Sequence, residues 1–248
     1  MFMVDRRQHV RTQLLERAQE DKRIVGAAIT GSAARDAEDR WSDVDLFFGV
    51  ADGIAVEEAL SDWSAFVYRE LGAIHHFDLR AGSAIYRAFL LGELLEIDLG
   101  FTPAAAFGPL GTGGFRVVFG DAVARRPGSV DPGHLIGLAW HHVLHARISV
   151  ERGALWQAEY WISGVRDHTL TLACLRLGHP VAHAKGADHL PPDVTGPVQE
   201  ALVRTLDADE LSRALGAATR ALLRELRATN SEIAETLEKP LLALAAVS

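Results

Sequence analysis

The chain has 248 residues, 48% of them apolar, enough for a sizeable core in one large or two modest domains; disordered and coiled-coil classes are excluded. Lys and Arg total 25 against 33 Asp and Glu, a net charge of −8, so no global positive field exists to hold a polyanion and a nucleic-acid partner is disfavoured. The single cysteine, Cys174, cannot form an internal disulfide or a thiolate cluster, which fits a reducing cytoplasm.

The N-terminus interrupts its apolar residues with charges, and no later stretch stays apolar long enough to span a bilayer, so a soluble protein without membrane partners is expected. Val4, Val10, Leu14, Leu15 and Ala18 recur at helical spacing, and Ile24 to Thr30 reads as a short buried strand ending at Gly31. Asp43 to Val50 reads as a strand, Ala55 to Leu71 as a helix, and Ile85 to Leu91 and Leu94 to Phe101 as strands joined by a turn at Gly92-Glu93. Glycines and prolines punctuate Pro103 to Gly133, leaving room for one strand, Phe115 to Phe119, and a domain boundary near Arg125 to Pro132. Beyond it the pattern predicts helices over Leu135 to Glu151, Ala154 to Leu177, Val198 to Leu206, Ala208 to Ala228 and Ser231 to Ala246, with a long loop from His179 to Thr195. The whole is an α+β half followed by a helical half.

The informative stretch is Ile29 to Phe48, ITGSAARDAEDRWSDVDLFF. Gly31 and Ser32 leave a strand for a helical turn, where backbone N–H groups, a serine hydroxyl and the helix dipole favour a phosphate; the plain alternative is a tight turn. Asp43 and Asp45, two apart in a strand, project from one face about 6.6 Å apart and repel by roughly 2.5 kcal/mol at an effective dielectric near 20. A hard divalent cation such as Mg²⁺ would offset that cost. In LLEIDLGF, Glu96 and Asp98 share one strand face opposite Leu95, Ile97 and Leu99. If this strand lies beside the first, one of them completes a triad around the metal or takes a proton; otherwise all four carboxylates sit on a solvated sheet face.

Gly31-Ser32, ten intervening residues, Asp43-Val44-Asp45-Leu46 and a later acidic strand resemble the nucleotidyltransferase superfamily that includes DNA polymerase β. The resemblance, strongest from Ile24 to Phe101, implies a mixed sheet flanked by helices, with a catalytic domain over 1–128 and a helical substrate-binding bundle over 129–248. It implies that Gly31 and Ser32 grip a nucleoside triphosphate, that Asp43 and Asp45 bind Mg²⁺, and that Asp98, with Glu96 as understudy, is the third carboxylate. Length and a helical C-terminal half narrow the likeness to the aminoglycoside and lincosamide nucleotidyltransferases of antibiotic resistance. That branch implies a small hydroxylated acceptor, ATP as the usual co-substrate and a homodimer.

In the helical half, Trp156, Glu159, Ser163 and Arg166 form a polar stripe that would suit an acceptor: Trp156 stacks, Glu159 accepts hydrogen bonds or acts as general base, and Arg166 approaches phosphates. The competing reading is an intrahelical Glu159–Arg166 neighbourhood. His141, His142 and His145 share a helix, but HHVLH lacks the third ligand and glutamate of the helical zinc motif. His75-His76 before Asp78 stays undecided. Lys185 and Asp188, in a Gly/Pro-bounded loop, would fold over a nucleotide or simply be solvated.

The leading expectation is transfer of a nucleoside monophosphate, AMP from ATP first, to a small-molecule hydroxyl with release of pyrophosphate. The alternatives are a nucleotide-sensing or partner-binding module without chemistry, and nucleotide addition to RNA, for which Arg6-Arg7 and Arg125-Arg126 would supply local basic clusters.

Overall fold

A computed structural model describes residues 2–111, 113–125 and 130–246. The chain divides into two compact units, Met1–Gly128 and Ser129–Ser248. Residues 126–129, within the stretch expected to carry a boundary, lie outside the described residues.

The first unit is built on a sheet. Helix α1 (Val4–Glu20) buries Val10, Leu14 and Ala18 along one face, as its periodicity requires. Strands β1 (Ile24–Thr30), β2 (Val44–Val50), β3 (Ala73–Ala81), β4 (Ala84–Leu91), β5 (Glu96–Pro103) and β6 (Phe115–Phe119) form one sheet in the order β3-β4-β5-β2-β1-β6. Strands β2 and β5 are parallel and the other neighbours antiparallel. Helix α2 (Val56–Phe66) continues through a wider π-type turn to Leu71, where Gly72 takes the left-handed conformation and ends it.

Alternation along the strands sorts the side chains. Val44, Leu46, Phe48 and Val50 of β2 join Ile97, Leu99 and Phe101 of β5, α1 and α2 in one core, with Trp63 fully buried against Phe48 and Phe101. On the opposite face Phe47 packs with Ala28, Ala84 and Phe107 in a smaller cluster. That second face carries the site.

Two details differ from expectation. Strand β3 was not anticipated because it is an edge strand whose Ile74, Phe77 and Leu79 are all more than half exposed, so no buried face writes an alternation into it. Leu94, read as the start of a strand, sits in the turn at φ 66°, and the Leu91 amide bonds the Leu95 carbonyl at 2.9 Å before β5 begins.

The second unit contains α3 (Pro132–Glu151), α4 (Leu155–Leu177), α5 (Pro192–Glu200), α6 (Ala208–Thr229) and α7 (Ser231–Ala245). Asp131, Asp207 and Asn230 accept hydrogen bonds from first-turn amides of α3, α6 and α7, caps worth about 1 kcal/mol each. Val143, Ile162, Val165, Leu215 and Leu222 lie in its core. The helix expected over Val198 to Leu206 instead starts at Pro192 and stops at Glu200. Proline is favoured in a first turn, where its missing N–H costs nothing, and Pro191-Pro192 therefore opens a helix inside the stretch expected to be loop. The remaining residues of that loop form single 3₁₀ turns at Ala182–Ala184 and Ala187–His189. Among the described residues, no helix is long and apolar enough to cross a membrane.

Candidate functional site

The parallel pairing of β2 with β5 sets Asp45 directly opposite Asp98, and Asp43 stands immediately before β2. One carboxylate oxygen from each of the three lies within 4.8 Å of the others, and all three residues are half-buried. No other group of three His, Cys, Asp or Glu residues meets that condition among the described residues. Two unit charges 4.8 Å apart repel by about 3.5 kcal/mol at an effective dielectric near 20. The Asp98 carboxyl shows the strain: burial, then the neighbouring Glu96 and Asp43 charges, push its pKa up to about 6. Its Oδ1 is buried and has no hydrogen-bond partner among the described residues. An all-oxygen, all-anionic donor set with an orphaned oxygen fits a hard divalent cation such as Mg²⁺. Glu96 is exposed at the same edge and adds negative field rather than a ligand atom to this group.

Gly31 is held to this site by sterics. Its φ is +63°, and a Cβ there would lie 1.9 Å from Asp45 Oδ2, so the carboxylate packs directly on the glycine backbone. Ser32 follows in helical conformation, and its carbonyl accepts from the Arg35 and Ala37 amides at 3.1 Å each. The structure corrects the expectation of a helix dipole here. Only one 3₁₀ turn, Ala33–Arg35, follows before Asp36 turns left-handed, and a macrodipole does not build up over three residues.

Arg7 fixes the connection from this turn to Asp43. Its guanidinium, almost fully buried, donates to the carbonyls of Asp39 at 2.5 Å and Ser42 at 2.9 Å, while Arg11 pairs with Glu38. Arg6 pairs with Glu93 at 2.6 Å and donates to the Leu71 carbonyl. The Arg6-Arg7 pair therefore braces the sheet unit and is not an open basic patch. Of the second basic cluster, Arg126 lies outside the described residues.

One step further along the strands, Phe47, Gly100 and Tyr86 form a row directly above Asp45, Asp98 and Ala88. A Cβ at Gly100 would lie 2.3 Å from the Phe47 ring and 2.7 Å from that of Tyr86, so glycine in the middle strand lets the two rings meet, stacked with centroids 5.4 Å apart. Burial, then the Asp45 and Asp98 charges, push the Tyr86 hydroxyl up to about 12. Tyr86 also lines a cavity of about 200 Å³ with Thr30, Gly31, Phe115 and the glycine-rich residues Gly108, Gly111, Gly113 and Gly114. Sequence reasoning missed Tyr86 and this cavity. The run GPLGTGG was visible, but it read as chain punctuation because nothing local tied it to Gly31.

The other predicted site residues belong to the helical unit. Trp156 is 78% exposed on α4. Arg166 donates to Glu159 at 3.4 Å, to Ser163 Oγ at 3.0 Å and to the Ala201 carbonyl at 3.1 Å, so its fork braces α4 against the end of α5. Lys185, just after the first 3₁₀ turn, and Asp188, within the second, are both exposed. His142 is enclosed by Trp161 and His168, with ring centroids at 4.8 and 4.7 Å; burial, then the neighbouring histidines, lower its pKa to about 4. His76 bonds the Tyr68 hydroxyl, and Asp78 holds Arg87 through two hydrogen bonds, which resolves the role of the His75-His76-Asp78 stretch as bracing at the sheet edge.

No protein-family model matches the chain, and no curated protein does. Among solved structures, an aminoglycoside 6-adenyltransferase from Bacillus subtilis is similar at a TM-score of 0.42 and 12% identity, covering 94% of this chain and 96% of that one.

Proposed function

We propose that the chain is a divalent-metal-dependent nucleotidyltransferase that moves a nucleoside monophosphate, AMP from ATP, onto the hydroxyl of a small molecule, with aminoglycosides and lincosamides the first acceptors to test. The observation that carries this reading is the Asp45–Asp98 register, which brings three carboxylates together beside the Gly31 backbone. Asp43, Asp45 and Asp98 would hold Mg²⁺. Bound there, the ion would neutralise the triphosphate and polarise its α-phosphorus.

The chain's own residues then divide the work. Gly31, with no side chain, lets the triphosphate approach Asp45, and the Ser32 hydroxyl donates to a phosphate oxygen. The acceptor oxygen attacks the α-phosphorus, a new P–O bond forms, the bond to the β-phosphate oxygen breaks, and pyrophosphate leaves. A carboxylate oxygen of Asp98, whose proton affinity burial and its acidic neighbours raise, takes the hydroxyl proton. On the helical unit, Trp156 offers an exposed ring to the acceptor and Glu159 a hydrogen-bond acceptor that Arg166 holds in place. Arg166 acts on this reading through Glu159 rather than on phosphate, and Lys185 remains the cation proposed for the nucleotide.

The test is incubation with Mg²⁺, labelled nucleotides and a panel of hydroxyl compounds, reading adduct mass and pyrophosphate. A nucleotide-sized mass gain that is lost on chelation supports the reading. ATP binding with no adduct across the panel would favour a sensing module instead.

A further inference from the structure

We infer that the cavity between Tyr86, Gly31 and the glycine-rich segment receives the nucleobase of the nucleotide; the inference rests on the nucleotidyl-transfer reading and adds where the uncharged end of that substrate goes. No charged side chain lines the cavity among the described residues. A triphosphate, carrying several negative charges, would find no charged lining group there to hold it; the charges that act on Tyr86 are those of Asp45 and Asp98, opposed by Arg125. A neutral ring needs no charged lining group.

Size and shape agree. At about 200 Å³ the cavity is smaller than the roughly 300–1,000 Å³ of sites that enclose a whole drug-sized ligand, so it takes one ring system rather than a complete nucleotide. Its walls include Tyr86 and Phe115, both belonging to the aromatic cluster around Phe47, which suits a flat π-face. The glycines leave room for it. Gly108 and Gly114 are explained by the fold, since a Cβ would meet the Val123 carbonyl at 2.3 Å or the Arg35 side chain at 2.7 Å. At Gly111 a Cβ would meet nothing within 4 Å and φ is not left-handed, and at Gly113 a Cβ would likewise meet nothing within 4 Å. At both positions open space adjoins the backbone, room that a ring lying against it would use.

The inference is tested by isothermal titration calorimetry of the full chain with Mg²⁺ plus ATP and, separately, Mg²⁺ plus inorganic tripolyphosphate, which has neither base nor sugar. Gly113→Leu adds bulk at the cavity wall, where a Cβ meets nothing within 4 Å, and Tyr86→Ala removes a wall; circular dichroism checks that each variant folds. Both are expected to weaken ATP binding roughly tenfold or more while tripolyphosphate affinity stays within about twofold. Asp45→Asn is expected to weaken both ligands. Equal loss of both ligands in Gly113→Leu would put phosphate in the cavity and overturn the inference, and unchanged ATP affinity would do the same by placing the base elsewhere. Should the unmodified chain bind neither ligand with Mg²⁺, the nucleotide reading itself fails and this inference with it.

Discussion

Glu225 in the helical unit and Asp98 in the sheet unit are both carboxylates withdrawn from water, yet their surroundings are opposite. Glu225 accepts two hydrogen bonds from Arg176 at 2.8 Å and a third from Thr229. Asp98 faces Asp43 and Asp45 across less than 5 Å and keeps one buried oxygen without a hydrogen bond among the described residues. A buried acid matched by a guanidinium fork is scaffold; a buried acid gathered with like charges is an arrangement the fold alone does not favour, and it marks where a ligand cation belongs. Glu159, paired with Arg166 at 3.4 Å, falls on the scaffold side of that contrast.

The contrast is most directly broken by Asp45→Asn. Nucleotide transfer is expected to fall by about three orders of magnitude or more, while the melting temperature in the presence of a chelator holds or rises because a repulsion is gone. Retained pyrophosphate release in that variant would remove the metal site from the account. Next in size, Arg176→Ala leaves Glu225 charged and unpaired, and should cost about 3–5 kcal/mol in urea denaturation with the metal-binding behaviour of the sheet unit unaltered.

Acid titration of the metal-free protein sharpens the same comparison, because the two units respond with opposite sign. The Asp98 carboxyl, at about 6, lies above its usual value, so the folded sheet unit takes up its proton first. Its contribution to stability is present at low pH and lost as pH rises through about 6. His142, at about 4, lies below the usual imidazole value, so the unfolded chain is protonated first and stability of the helical unit is lost as pH falls from about 6.5 to about 4. Each effect should be on the order of 1–3 kcal/mol. Unfolding curves between those limits, followed by probes placed in each unit, should diverge; Asp98→Asn should flatten one dependence and His142→Gln the other. The smallest effect is expected from Trp156→Ala. At 78% exposure its loss should change stability by no more than about 0.5 kcal/mol, while the acceptor KM rises and that for ATP stays put.

Periodicity carried most of the fold. The amphipathic runs of α1, α3, α4, α6 and α7 and the strands β1, β2, β4 and β5 lie within a few residues of where their patterns place them, because each buries apolar side chains and so writes its period into the chain, while the largely exposed β6 was marked by apolar residues set between glycines. Where a segment buries nothing, as in β3, or where a residue signals both stop and start, as Pro192 does, the pattern is silent or ambiguous. In the site, Gly31, Ser32, Asp43, Asp45, Glu96 and Asp98 were readable as residue types with the right alternation. Arg7, Gly100 and Tyr86 were not, since an arginine near the N-terminus, a glycine in a strand and a tyrosine on the next strand have no shared local pattern.

Residue order by itself determined which side chains of each strand share a face, since that depends only on a two-residue repeat along one segment. It did not determine which strands would be neighbours. The sheet placed β5 parallel to β2 in a register that sets Asp45 against Asp98 and Phe47 against Gly100, and a slip of one residue would have turned those carboxylates into the core. That choice is made by burial of Leu46, Phe48, Leu99 and Phe101 under α1 and α2, a contest between segments far apart in the chain, and it is settled only when the whole core closes.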